Sequence, residues 1–280
     1  MTMDATLVLG GTGKTGRRVA ERLRARNVPV RIGSRSGEPP FDWEKPETWA
    51  PALQGARSVY ISYYPDLAVP GAVDVVGSFA NVAVENGVPR LVLLAGRGEA
   101  EAEQAEQAVR DSGADLTIVR ATWFMQNFNE DYMVEHILAG AIALPAGDTP
   151  EPFVDAGDIA DVAVAALTDD THIGELYELT GPRLLTFAQA AEEISNATGR
   201  DIPYVPVSLE EHAAVAAEQG VPAEVIDLLT YLFNEVLDGR NAHVTDGVQR
   251  ALGRDPRDFR DFAREAAATG VWDAPTERSE

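Results

Sequence analysis

Ala5-Thr6-Leu7-Val8-Leu9-Gly10-Gly11-Thr12-Gly13-Lys14-Thr15-Gly16 is the stretch that decides the fold. Its first five residues form a short, almost wholly apolar run, the pattern of a parallel strand buried on both faces. A glycine cluster ends the run, and over 14–26 Val19 and Leu23 stand four apart among arginines, which predicts an amphipathic helix. Read from Gly11 the turn satisfies G-x-G-x-x-G, and read from Gly10 the looser G-x-x-G-x-x-G. Glycine is needed there because the backbone must turn sharply, approach a pyrophosphate closely and let the helix pack on the sheet. The helix N-terminus adds unsatisfied amides and a partial positive charge. Gly10, Gly11, Thr12, Gly13, Lys14, Thr15 and Gly16 are therefore the expected cradle for a dinucleotide. A P-loop is the competing reading, since Gly13-Lys14-Thr15 imitates its end. That motif needs a glycine five places before Gly13, and position 8 is Val8.

Outward from this turn, strands and helices alternate. Strands are expected at 28–32, 58–62, 90–95 and 116–119, and helices at 46–54, 72–83 and 99–112, with Asn86-Gly87 as a stop signal. Alternation of this kind builds βαβ units and a parallel sheet. Beyond about residue 145 the rhythm changes: Pro145, Gly147, Pro150 and Pro152 mark a loop, and helices then dominate. Asp158 is expected to cap a helix, while Thr186 with Gln189 and Ser208 with Glu211 fit capping boxes. An apolar stripe from Val225 to Val236 and an acid- and arginine-rich surface helix at 254–268 follow, with 276–280 as a frayed end. The expected fold is α/β: a Rossmann-type doubly wound parallel sheet over 1–145, with a smaller, mostly helical substrate lobe over 146–280, partly interwoven with the sheet.

Composition narrows the function. The chain has 280 residues, 23 basic and 45 acidic, for a net charge of −22. So acidic a molecule repels nucleic acid and anionic membranes at long range, and neither is an expected partner. Its first 37 residues run the other way, with eight basic groups against two acids, so a small anion can be held at that end. There is no cysteine, which removes disulfides and thiolate chemistry. His136, His172, His212 and His243 are too dispersed for a local metal pair, and no metal is expected. No long apolar run and no leader-like opening is seen, so a cytoplasmic address is expected.

The end of the second strand discriminates between the nicotinamide coenzymes. An acid there holds the ribose hydroxyls of NAD, whereas a 2′-phosphate requires a cation. This chain has Ser34-Arg35-Ser36 and no acid until Glu38. Arg35 can fork onto the phosphate and Ser34 or Ser36 can donate beside it, which favours NADP(H). Tyr63, Ala95 and Gly96, following or ending the third and fourth strands, complete the expected cofactor set.

The glycine turn, Arg35, Leu93-Leu94-Ala95-Gly96-Arg97, Arg120-Ala121-Thr122-Trp123-Phe124-Met125-Gln126-Asn127-Phe128, and Pro152-Phe153-Val154-Asp155 through Ala163 resemble the NmrA-like branch of the atypical short-chain dehydrogenases. The resemblance runs over about residues 4–200. It implies a Rossmann domain whose smaller lobe closes over the nicotinamide, and either a reductase of quinones, dyes or iminium compounds or an NADP-sensing regulator. A homodimer is compatible with it.

One departure bears on mechanism. Ordinary short-chain dehydrogenases carry Tyr-x-x-x-Lys as their proton donor, but the two lysines here, Lys14 and Lys45, follow Gly10 and Phe41 at that spacing. The helix at 99–106 is read as a mostly solvated acidic face, and no catalytic residue is assigned. Positioning an electrophile against the nicotinamide can still supply most of the rate. Tyr64, Trp123, Phe124, Gln126, Asn127 and Phe128 follow strand ends, where ligands bind, and are the expected contacts of a small, flat substrate. Asp155 and Asp158 are read as turn and cap residues. The reading is an NADPH-dependent oxidoreductase acting by direct hydride transfer, with a non-catalytic NADP(H) sensor as the alternative.

Overall fold

A computed structural model of the chain describes residues 4–273. In chain order its elements are β1 (Ala5–Leu9), α1 (Gly16–Ala25), β2 (Val30–Gly33), α2 (Trp49–Leu53), β3 (Ala56–Ile61), α3 (Ala72–Glu85), β4 (Arg90–Gly96), α4 (Ala100–Asp111), β5 (Asp115–Ala121), α5 (Met133–Ala139), β6 (Ile142–Leu144), α6 (Ala156–Thr168), β7 (Leu176–Leu179), α7 (Phe187–Thr198), β8 (Tyr204–Pro206), α8 (Leu209–Glu218), α9 (Ala223–Tyr231), α10 (Gly247–Leu252) and α11 (Phe259–Ala268). The expectations for 1–3 and 276–280 lie outside the described residues.

Six strands pair in parallel in the order β2-β1-β3-β4-β5-β7. Leu7, Val8, Leu9, Val59, Tyr60, Ile61, Leu91, Val92 and Leu93 are all 0% exposed, which requires helices on both faces of the sheet. Each such aliphatic side chain contributes about 1.5–3 kcal/mol through burial. From β1 the chain moves to β2 on one side and returns to β3 on the other. In open α/β sheets a ligand binds in the crevice outside the carboxyl ends at such a reversal.

Two compact units form. The first contains the chain up to Ala121 with Ala156–Leu179 and Asp246–Arg254; the second contains Thr122–Asp155, Thr180–Thr245 and the chain after Asp255. The division expected near residue 145 is therefore replaced by one at Ala121, after which the chain returns twice to the first unit. The reason is backbone pairing: β7 lies beside β5 with Ile118 opposite Leu176 and Ala121 opposite Leu179, so 176–179 belongs to the sheet. The proline-rich loop marks a turn of the chain and not a change of unit.

Ion pairs revise several local readings. Asp158 sits in the first turn of α6, which starts two residues earlier; its carboxylate is 0% exposed and lies 2.7 Å from Arg254. Arg22 of α1 donates to Asp161 of α6 at 2.5 Å. In the second unit both expected capping boxes form, at Thr186 and Ser208. The core there is aromatic: Phe128 meets Phe259 at 5.2 Å and Phe153 meets Phe187 at 5.1 Å, both nearly perpendicular. The stripe after Ala223 is not one regular helix; it ends at Tyr231 and passes into a π turn over Leu232–Val236. α11 is more than a surface helix, since it buries Phe259, Phe262, Ala263 and Ala266.

Candidate functional site

The glycines of the first turn meet distinct steric demands. Gly10 has φ +67, and a Cβ there would stand 3.0 Å from both the Cβ and the carbonyl of Ser62, just after β3. A Cβ at Gly11 would come 2.7 Å from Ile32. At Gly16 it would lie 2.3 Å from the Gly10 carbonyl oxygen, so α1 begins in direct contact with the loop. The Gly13 amide donates to the Gly10 carbonyl at 2.9 Å and closes the turn. No side chain caps α1 at Thr15, and no acid occupies its first turn, which leaves the helix terminus suited to an anion. A backbone cradle that Cβ atoms would fill, opening onto an uncapped helix, fits a dinucleotide pyrophosphate.

Register brings the residues expected to discriminate the coenzymes to the same edge. Gly33 pairs beside Leu9, so Ser34 and Arg35 leave the sheet next to Gly10. The Ser34 carbonyl accepts the amides of Gly37 at 3.0 Å and Phe41 at 2.8 Å, which fixes the turn carrying Arg35. Arg35 itself is exposed, as are Thr12 and Gly13, whereas Thr15 is buried and Lys14 is half-buried. Tyr63 packs on Trp43 at 5.0 Å, and burial, then the charge of Glu44, raises its phenol above the ordinary range. Ala95 is buried and Gly96 half-buried at the end of β4.

Two carboxyl groups at this edge escaped the sequence reading. Glu99, assigned to a solvated face, is only 6% exposed, and Glu106 is 3% exposed. Asp66 lies on the loop after β3, and burial of Glu99, followed by the Asp66 charge, pushes the Glu99 carboxyl up to about 9. Glu106 instead faces Arg120, which donates to it through Nε at 2.9 Å and Nη2 at 2.6 Å and reaches Glu178 of β7 at 2.9 Å. The available signal was position: an acid immediately after Gly96-Arg97-Gly98 stands at a strand end.

The substrate residues expected from sequence are treated differently by the fold. Tyr64, in the first unit, is 78% exposed. In the second unit Trp123 is half-buried and its ring lies 5.0 Å from Phe233, which also meets His212 at 5.5 Å. Phe124 and Asn127 are half-buried, and the Asn127 amide donates to the Phe124 carbonyl at 3.1 Å. Gln126 and Phe128 do not fit the role given to them. Gln126 is 4% exposed with its amide on Asp155 at 2.8 Å, and Phe128 is 0% exposed within the aromatic core. Asp155 also lies 3.7 Å from Arg257, in keeping with a structural part.

A parallel sheet with this turn at its strand reversal defines the class of nucleotide-binding Rossmann-like proteins. More narrowly, the chain belongs to the NmrA-like family, whose model matches residues 100–262, and a model described as NAD(P)H-binding matches residues 10–170. It is 32% identical to an uncharacterized oxidoreductase of Bacillus subtilis, YesF, over 97% of this chain and 99% of that one. It is 31% identical to an NAD(P)H azoreductase of Xenophilus azovorans, covering 94% and 98% of the two chains. Among solved structures, the triphenylmethane reductase of a Citrobacter species, crystallised with NADP(H), superposes with a TM-score of 0.76 at 20% identity, over 94% of this chain and 99% of that one.

Proposed function

We propose that this protein is an NADPH-dependent reductase of a small, flat, electron-poor molecule of the quinone, azo, dye or iminium type. The observation that carries the reading is the glycine cradle at the strand reversal with Arg35 leaving the sheet beside it. Bound there, the reduced nicotinamide would supply hydride. The chain's part is to hold the pyrophosphate on the amides of 10–16, to pair Arg35 with the 2′-phosphate, and to support the rest of the coenzyme with Ser34, Tyr63, Ala95 and Gly96. Trp123, Phe124 and Asn127 of the second unit are assigned to the substrate, Trp123 first among them because a flat acceptor stacks on indole. Without a Tyr-x-x-x-Lys pair, positioning carries most of the catalysis. The relatives named azoreductase and oxidoreductase support the reaction class.

Arg35→Ser should weaken NADPH binding about 10–100-fold, the loss of one or two charge-assisted hydrogen bonds, and change NADH binding less than about twofold. Equal losses for both coenzymes would remove Arg35 from the 2′-phosphate site. The class itself is tested by following NADPH oxidation with a panel of quinones, azo dyes and iminium compounds. Turnover supports the reductase; binding without turnover of any acceptor supports the sensor.

A further inference from the structure

Glu99 stands at the cap position of α4, yet its side chain makes no capping hydrogen bond. The carboxyl group folds back over the end of β4: a Cβ built on Gly96 would lie 1.9 Å from Oε1 and 2.3 Å from Oε2. Glu99 is 6% exposed, and Oε2 has no hydrogen-bond partner. Asp66 accepts the Ala68 amide on Oδ1 at 2.8 Å, and its charge acts on Glu99. Neighbouring carboxylates repel, and a buried carboxylate oxygen without a partner is costly, so the pair favours holding a proton. The charged groups around the pair reinforce this. Glu101 of α4 adds negative charge, while Arg97 is directed to Glu178, with Nε 3.6 Å from Oε2. Burial is the first cause raising both Asp66 and Glu99.

We propose that Asp66 and Glu99 form the proton donor of the reductase, holding one shared proton at the carboxyl ends of β3 and β4 for the substrate. The inference rests on the reductase reading above and adds the acid which that reading lacks. After hydride has joined a quinone or azo acceptor, the conjugated oxygen or nitrogen carries negative charge. The carboxyl O–H bond then breaks, an O–H or N–H bond forms on the product, and the doubly ionised pair regains its proton from water. A cationic dye or iminium ion is neutralised by hydride alone and makes no such demand. Buried, strongly perturbed carboxyls gather at functional sites, and a positioned general acid contributes about 10²–10⁴-fold.

Glu99→Gln keeps the shape of the protonated side chain and removes its proton. Turnover of a neutral quinone or azo dye should fall about 100-fold, with a loss of less than about tenfold on a cationic triphenylmethane dye. The wild-type rate with the neutral acceptor should decline as pH rises through about 9, the range to which Glu99 is raised, and the variant should lack that limb. In the coenzyme-free protein, infrared titration should show a protonated carboxyl persisting at neutral pH and absent in Glu99→Gln. Stability gives a second readout. Because the folded carboxyl is raised, its contribution is complete below the ordinary glutamate range and is lost as pH rises toward about 9; Glu99→Gln removes that decline. Asp66→Asn serves as the second variant and should also lose the neutral-acceptor rate. A carboxyl that ionises in the ordinary range, or equal losses on neutral and cationic acceptors, overturns the proposal. So does a wild type that reduces cationic acceptors alone. If instead the infrared band is present but no acceptor is reduced, it is the reductase reading that has failed.

Discussion

Gly16→Ala should weaken NADPH binding by more than about 100-fold and lower stability by about 1–3 kcal/mol, the usual cost of overpacking. The added methyl would stand 2.3 Å from the Gly10 carbonyl oxygen and 2.7 Å from its carbon. Both are backbone atoms at the end of a strand whose side chains are fully buried, so neither can step aside. The loop must open, and the amides that face the pyrophosphate move with it; losing two charge-assisted hydrogen bonds at about 1.5–3 kcal/mol each gives the binding loss. Gly13→Ala is the control for stability, because its Cβ would come only to 3.3 Å from the Gly10 oxygen. Calorimetric titration and thermal unfolding of the two variants separate the effects. Wild-type affinity in Gly16→Ala would mean that the coenzyme does not sit on this turn.

Arg120→Met should cost about 3–5 kcal/mol of stability, the penalty for leaving a buried carboxylate without its cation. Arg120 at the end of β5 holds Glu106 by two parallel hydrogen bonds, and the Glu106 side chain is 4% exposed. The same guanidinium reaches Glu178 at 2.9 Å and Glu103 at 3.5 Å, so one cation ties α4 and β7 to β5. Methionine fills the space but leaves Glu106 uncompensated. The double variant Arg120→Met with Glu106→Leu should recover most of the loss, since burying two apolar groups replaces a costly charge. Urea unfolding reads both: the single variant lowers the midpoint without changing the slope, and the double restores it. A single variant within about 0.5 kcal/mol of wild type would show that Glu106 finds another partner.

The parts of the molecule legible in the sequence are those governed by local pattern. β1 and the glycine turn were fixed by an apolar run and by steric needs that only glycine meets. The capping boxes at Thr186 and Ser208 are local hydrogen-bond circuits, and both form. What escaped is non-local. β7 has four residues and was hidden by the surrounding helices; its membership of the sheet depends on pairing with β5, nearly sixty positions earlier. Glu99 and Glu106 look alike on a helical wheel of acids, yet one is turned onto Gly96 and the other onto Arg120. Phe128 and Trp123 sit in one motif, but the aromatic core of the second unit encloses the first and leaves the second partly open.

The central claim is that the first turn and Arg35 together hold NADPH. Isothermal titration of the wild-type protein with NADPH and then NADH tests it without any assumption about substrate. Micromolar or tighter binding of NADPH, with NADH at least about tenfold weaker, is the result this account requires for a 2′-phosphate gripped by a guanidinium. No heat with either coenzyme, or a tenfold preference for NADH, would contradict it.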